Sequence, residues 1–140
     1  MIRVVLDGIT QALAEKFQDC AVYGGQEVAQ GLNKPCFFVT MTAFSQKPLP
    51  GSRYERRQEF EIKYYPRQEG DFEELYGIAE RLFLALEAVD TEQGVVRGTN
   101  MRTSIDAGLL GFCASYNMIA RAVKIPRPAM GSLKQKTGLG

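Results

Sequence analysis

Histidine is missing from this chain altogether. That removes the usual general base for a serine or cysteine nucleophile and leaves no imidazole to complete a zinc site. Cysteine is scarce and scattered. Cys20, Cys36 and Cys113 are odd in number and form no CxxC pair, so a disulfide framework or a thiolate metal centre is not expected. Small buried hydrophobes is the simpler reading of all three. No apolar run approaches the ~20 residues of a membrane-spanning helix. The opening MIRVVLDGITQALAEKF carries Asp7 and Glu15 and lacks a small-residue cleavage site, which argues against a secretory leader and for the cytoplasm of the cell that makes the protein. There is no nucleophile elbow, no Walker loop and no HExxH. Glu59 and Glu61 face one way from a strand, but nothing apolar surrounds them to separate their acidities. No catalytic residue, cofactor or metal is expected.

Acidic residues are also missing from one region. After Asp106 there are none, whereas Arg121, Lys124, Arg127, Lys134 and Lys136 all follow it. Residues 1–106 hold the other twelve of the seventeen basic groups and all sixteen acidic ones. An acidic body with a basic end suggests contact with an acidic surface, another copy of the body or a nucleic acid. The 140 residues fit one domain, here residues 1–124, followed by a basic extension over 125–140.

What is present is a clear alternation of elements. Ile2, Val5, Leu6, Ile9, Leu13 and Phe17 make a helical stripe, which Gly8 weakens by about 1 kcal/mol relative to Ala. Residues 20–23 are β-prone, and 26–34 read as loop. Residues 36–44 are apolar on both faces, as a central strand requires. Pro48, Pro50 and Gly51 mark 45–52 as a stiff projecting loop. Residues 53–65 then alternate, with Tyr54, Phe60, Ile62 and Tyr64 on one face and Glu55, Arg57, Glu59, Glu61 and Lys63 on the other. Asp71 followed by Glu74 has the spacing of a capping box. Phe72, Leu75, Ala79, Leu82, Phe83, Leu86 and Val89 form the core stripe of the helix it opens. Residues 95–105 read as a strand broken by Gly98. Residues 109–123 read as a last strand that would span about 50 Å, longer than the ~37 Å breadth of a domain this size. It must bend, at Gly111, or leave the body. The expected fold is α+β: a mostly antiparallel sheet with two helices on one face, in the order helix, strand, hairpin, helix, hairpin, with an extended C-terminal tail. Arg53, Arg56 and Arg57 lie at the base of the projecting loop, as a salt-bridged surface or as a clamp for an acidic partner. In each of the pairs Phe37-Phe38 and Tyr64-Tyr65 one ring must face the core, so no base-stacking platform follows.

Several of these residues together resemble a known family. Gln30-Gly31-Leu32, Lys34-Pro35-Cys36-Phe37-Phe38, Arg53-Tyr54, the run Phe60 to Pro66, Arg97 to Met101, and Phe112 with Tyr116 are similar to the tail terminator, or tail completion, proteins of phages and prophages of Gram-positive bacteria. The resemblance covers residues 1 to about 124 and omits the basic extension. It implies a non-enzymatic virion component of the tail, assembled in the bacterial host cytoplasm. It also implies a homo-oligomeric ring, a hexamer, that caps the tail tube, stops its growth and offers a surface for head and neck joining. For a contractile tail it implies contact of the ring with the sheath, and DNA as no more than cargo passing through the lumen. The interface candidates are Arg53, Arg56, Arg57, Arg121, Lys124, Arg127, Lys134 and Lys136. A head-side connector or a small nucleic-acid-binding module are the alternative readings.

Overall fold

The computed structural model describes residues 3–24 and 34–121. The extension after Arg121, with Lys124, Arg127, Lys134 and Lys136, lies outside the described residues, as do Gln30-Gly31-Leu32. Two helices and six strands follow in the order α1 (Arg3–Lys16), β1 (Ala21–Gly24), β2 (Cys36–Leu49), β3 (Arg53–Tyr65), α2 (Phe72–Leu86), β4 (Ala88–Thr91), β5 (Gly94–Asp106) and β6 (Leu109–Arg121). The strands form one sheet in the order β1-β2-β3-β6-β5-β4. Every pairing is antiparallel except β1 with β2. This is the expected α+β architecture.

The period-two pattern of β3 decides which face is inside. Phe60, Ile62 and Tyr64 are buried, opposite Ala114, Phe112 and Leu110 of β6. Val5, Leu6, Ile9 and Leu13 from α1, with Phe17 just after it, pack on this face beside Leu75, Ile78, Leu82, Ala85 and Leu86 from α2. Ring contacts tie the layers, with Phe17 on Phe37 at 4.8 Å and Phe37 on Tyr64 at 5.0 Å between centroids. Phe37 and Tyr64 are buried and their neighbours Phe38 and Tyr65 are not, as the pairwise argument required.

Several local expectations need correcting. Residues 45–49 are strand, so the projecting feature is a hairpin with a three-residue turn over 50–52. Pro48 fits there because β1 covers only Cys36 to Val39 of β2, leaving the rest of β2 an edge. Helix α2 stops at Leu86, and Val89, expected at the end of its core stripe, is instead buried within β4. Phe72 is 48% exposed and stacks on Tyr76, while Ile78 takes a place in the core. Asp71 does cap α2, its carboxylate accepting from the Glu74 N–H at 3.2 Å, but the Glu74 carboxylate turns instead to Tyr64 and Arg67. Gly98 does not break β5. Its N–H donates to the Glu87 carbonyl at 2.9 Å, and a Cβ there would lie 3.0 Å from the Leu86 carbonyl oxygen. The irregularity falls two residues later, where the register with β6 shifts between Thr99 and Arg102. Of the cysteines only Cys36 is fully buried; Cys20 and Cys113 are half-buried.

Candidate assembly surface

The last strand is too long for its body, and the structure shows how that length is used. Strand β5 follows β6 only as far as Tyr116. Beyond it, Asn117 to Arg121 pair with Arg57 to Arg53, and these pair with Ser45 to Leu49. The result is a three-stranded wing, five residues long, or roughly 17 Å at ~3.4 Å per residue. At Gly111 the strand carries no bulge, pairing in register with Lys63 and Ser104. At the wing's root β2 carries a bulge between Met41 and Ala43, and the Thr42 hydroxyl there donates to the Glu59 carbonyl at 3.3 Å. Bulges sharpen the local twist of a strand pair.

Alternation divides the wing's side chains between its faces. Arg53 and Arg121 are direct cross-strand neighbours on one face, with Leu49 on the other side of Arg53. Both arginines are exposed, and like charges set opposite each other repel. Arg57 shares this face nearer the root, where it is held by Glu59 at 3.3 Å and by the Ser115 hydroxyl at 3.4 Å. Arg56 points to the opposite face and donates to the Gln46 side-chain oxygen at 2.8 Å, with Met118 across the strand. The three arginines of β3 therefore do not form one clamp. Arg53 joins Arg121 at the tip, Arg57 belongs to the salt-bridged root, and Arg56 lies on the face continuous with the helix side. Sequence reasoning missed two exposed apolar residues here: Phe44 at the wing's root is 41% exposed and Ile119 within it is 57% exposed.

The grooves of the body are built differently. One open groove, about 430 Å³, is lined by Asp19, Tyr64, Arg67, Asp71, Glu74 and Arg81 among others. Its polar groups are engaged with each other. Tyr64 donates to Glu74 at 2.5 Å, the Arg67 N–H donates to the same carboxylate oxygen at 2.9 Å, and the Arg67 guanidinium meets Asp19 at 3.3 Å. Burial works against the Glu74 carboxylate, but these donors outweigh it and hold its pKa below the usual carboxylate range. Burial, reinforced by the Glu74 hydrogen bond and charge, pushes the Tyr64 hydroxyl well above the usual phenol range. Burial, helped by Asp19, pushes the Cys20 thiol up to about 11, and burial raises Cys36 as well. These two thiols stay protonated near neutrality, so neither is an activated nucleophile. Among the described residues no cluster of carboxylates and thiols is arranged to hold a metal ion, and no helix is long and apolar enough to cross a membrane.

A sheet with partly open edges, a projecting wing and a groove whose charged groups pair with each other fits the class of proteins that work through their surfaces. The sequence matches the family model described as phage tail terminator protein over residues 4–128, and the chain belongs to that family. No curated protein matches it. The family is one of structural proteins of the phage tail, so this chain is a tail component that works through contact with other tail proteins.

Proposed function

We propose that the protein caps the tail tube as a ring of about six copies, ends tube growth and presents the surface on which the head and neck are joined. The observation that carries this reading is the wing. It carries Arg53, Ile119 and Arg121 on strands that run past the last β5 pairing at Tyr116, with exposed Phe44 at its root, and there they serve no core and are free to meet a neighbour. An interface of standard size buries ~800 Å² on each partner, and a two-faced three-stranded projection supplies area of that order. In a contractile particle the same ring would face the last ring of sheath. The basic residues 121–136 belong to the assembly surface in this reading, and DNA passes through the lumen without specific contact.

The test is tail length. Tails assembled without the protein should be overlong and variable in negative-stain images, and adding it should restore one length. Unchanged lengths would refute capping. Normal tails that fail to join heads only in its absence would instead support a head-side connector.

A further inference from the structure

Helix α2 presents a face that nothing among the described residues covers. Phe72 (48% exposed), Tyr76 (55%), Phe83 and Leu84 (77%) all reach solvent on one 15-residue helix. Phe83 packs edge-on against Phe112 of β6 at 5.2 Å, so this apolar face continues onto the sheet. There exposed Ile105 lies opposite Leu110 on the helix side. The charges beside it are of one sign: Glu73, Glu80 and Glu87 are exposed. The helix's only base, Arg81, is turned away, its guanidinium 4.2 Å over the Phe17 ring and bonded to the Lys16 carbonyl at 2.9 Å.

Resting on the ring reading above, we propose that the C-terminal segment 122–140 of the adjacent copy docks along this face of α2. Its chemistry is complementary: Lys124, Arg127, Lys134 and Lys136 with no acid, interleaved with Val123, Ile125, Met130 and Leu133. Geometry favours a neighbour over the chain's own helix. The carbonyl of Leu86 at the end of α2 sits on Tyr116, at the root of the wing, and β6 then runs outward to Arg121. In the ring reading the segment therefore starts at the wing tip, away from its own α2 and beside the next copy.

The test uses the full chain with Glu80→Cys and Lys134→Cys, and with Cys20 and Cys113 changed to Ser, assembled on tail tubes and oxidised. A ladder of dimers and higher multimers on a non-reducing gel is expected. A fast-migrating internally bridged monomer, a bridge to the tube protein, or no bridge in assembled tails would each overturn the proposal. In the chain with native cysteines, reversing Glu73, Glu80 and Glu87 to Lys should weaken assembly roughly tenfold, as expected for a few exposed ion pairs. Reversing Lys124, Arg127 and Lys134 to Glu in the same chain should restore it. Failure of that rescue in a variant whose melting temperature is unchanged would also overturn the docking. Normal tail lengths without the bridge count against the docking alone; overlong tails from the unaltered protein count against capping itself.

Discussion

Tyr64 and Tyr116 look alike in the sequence, one at each end of the buried face, yet their hydroxyls serve different helix ends. Tyr64 donates to Glu74 in the first turn of α2, and Tyr116 donates to the Leu86 carbonyl in the last. Removing the second with Tyr116→Phe leaves a buried carbonyl short of a donor and should cost about 1–3 kcal/mol, measured by denaturant unfolding. Glu74 gives a pH dependence with a definite sign. Its folded pKa lies below the unfolded value, so its contribution is present above ~4.3 and is lost as pH falls through the folded value. Thermal melts between pH 3 and 6 should therefore rise more steeply for the unaltered protein than for Glu74→Gln; equal slopes would show that the carboxylate is not held as the geometry implies. The Asp71 and Glu74 spacing was legible, and so was the N-cap. The destination of the Glu74 carboxylate was not, because Tyr64 and Arg67 reach it only through the fold.

At the scale of elements, periodicity was enough wherever one face was buried. The alternation of β3 read correctly, as did Val5, Leu6, Ile9 and Leu13 of the α1 stripe, which omitted buried Val4; Ile2 lies outside the described residues. Periodicity failed where tertiary contacts overrule a continuous pattern: Leu86 to Val89 carries no Gly or Pro stop, and only the Gly98 bond to Glu87 and the burial of Val89 turn the chain into β4. It also failed at Gly8, which read as a weakness in α1. A Cβ at that position would lie 2.9 Å from the Asp90 carbonyl oxygen and 2.9 Å from a Val89 methyl, so the glycine permits α1 to seat on β4. Gly8→Ala, which would gain about 1 kcal/mol of helix propensity, should instead lower stability by about 1–3 kcal/mol through overpacking. A raised melting temperature would contradict this. For the wing the sequence foretold projection but not which arginines share a face, since the bulge and the β6 pairing had to be known first. Accordingly Arg53→Glu with Arg121→Glu should disturb capping more than Arg57→Glu with Glu59→Arg, which keeps the root's ion pair. Tail-length distributions from the two variants would compare them directly.

For the whole molecule, the short outer strands β1 and β4 cover only part of their neighbours, β1 pairing with Cys36 to Val39 of β2 and β4 with Gly94 to Arg97 of β5. Among the described residues no further strand pairs along the rest of β2 or β5 on that side, which leaves an edge for another chain. The charge asymmetry visible in the sequence sits on this frame, with acids along α2 and the chain leaving the wing tip toward its basic end. A chain truncated after Arg121 should remain folded, since the core formed by the described residues precedes it, but should cap tails poorly. Circular dichroism and tail imaging would check the two halves of that outcome. Full capping by the truncated chain would remove residues 122–140 from the assembly surface.

The bulge at Thr42 has a mechanical meaning as well. A rigid arm of roughly 17 Å mounted on one twisted joint acts as a lever, so a swing of about 10° at the root displaces the tip by about 3 Å, close to one residue step along a strand. A substitution near Thr42 that resets the twist would therefore move Arg53 and Arg121 out of register with whatever they meet, without touching either residue.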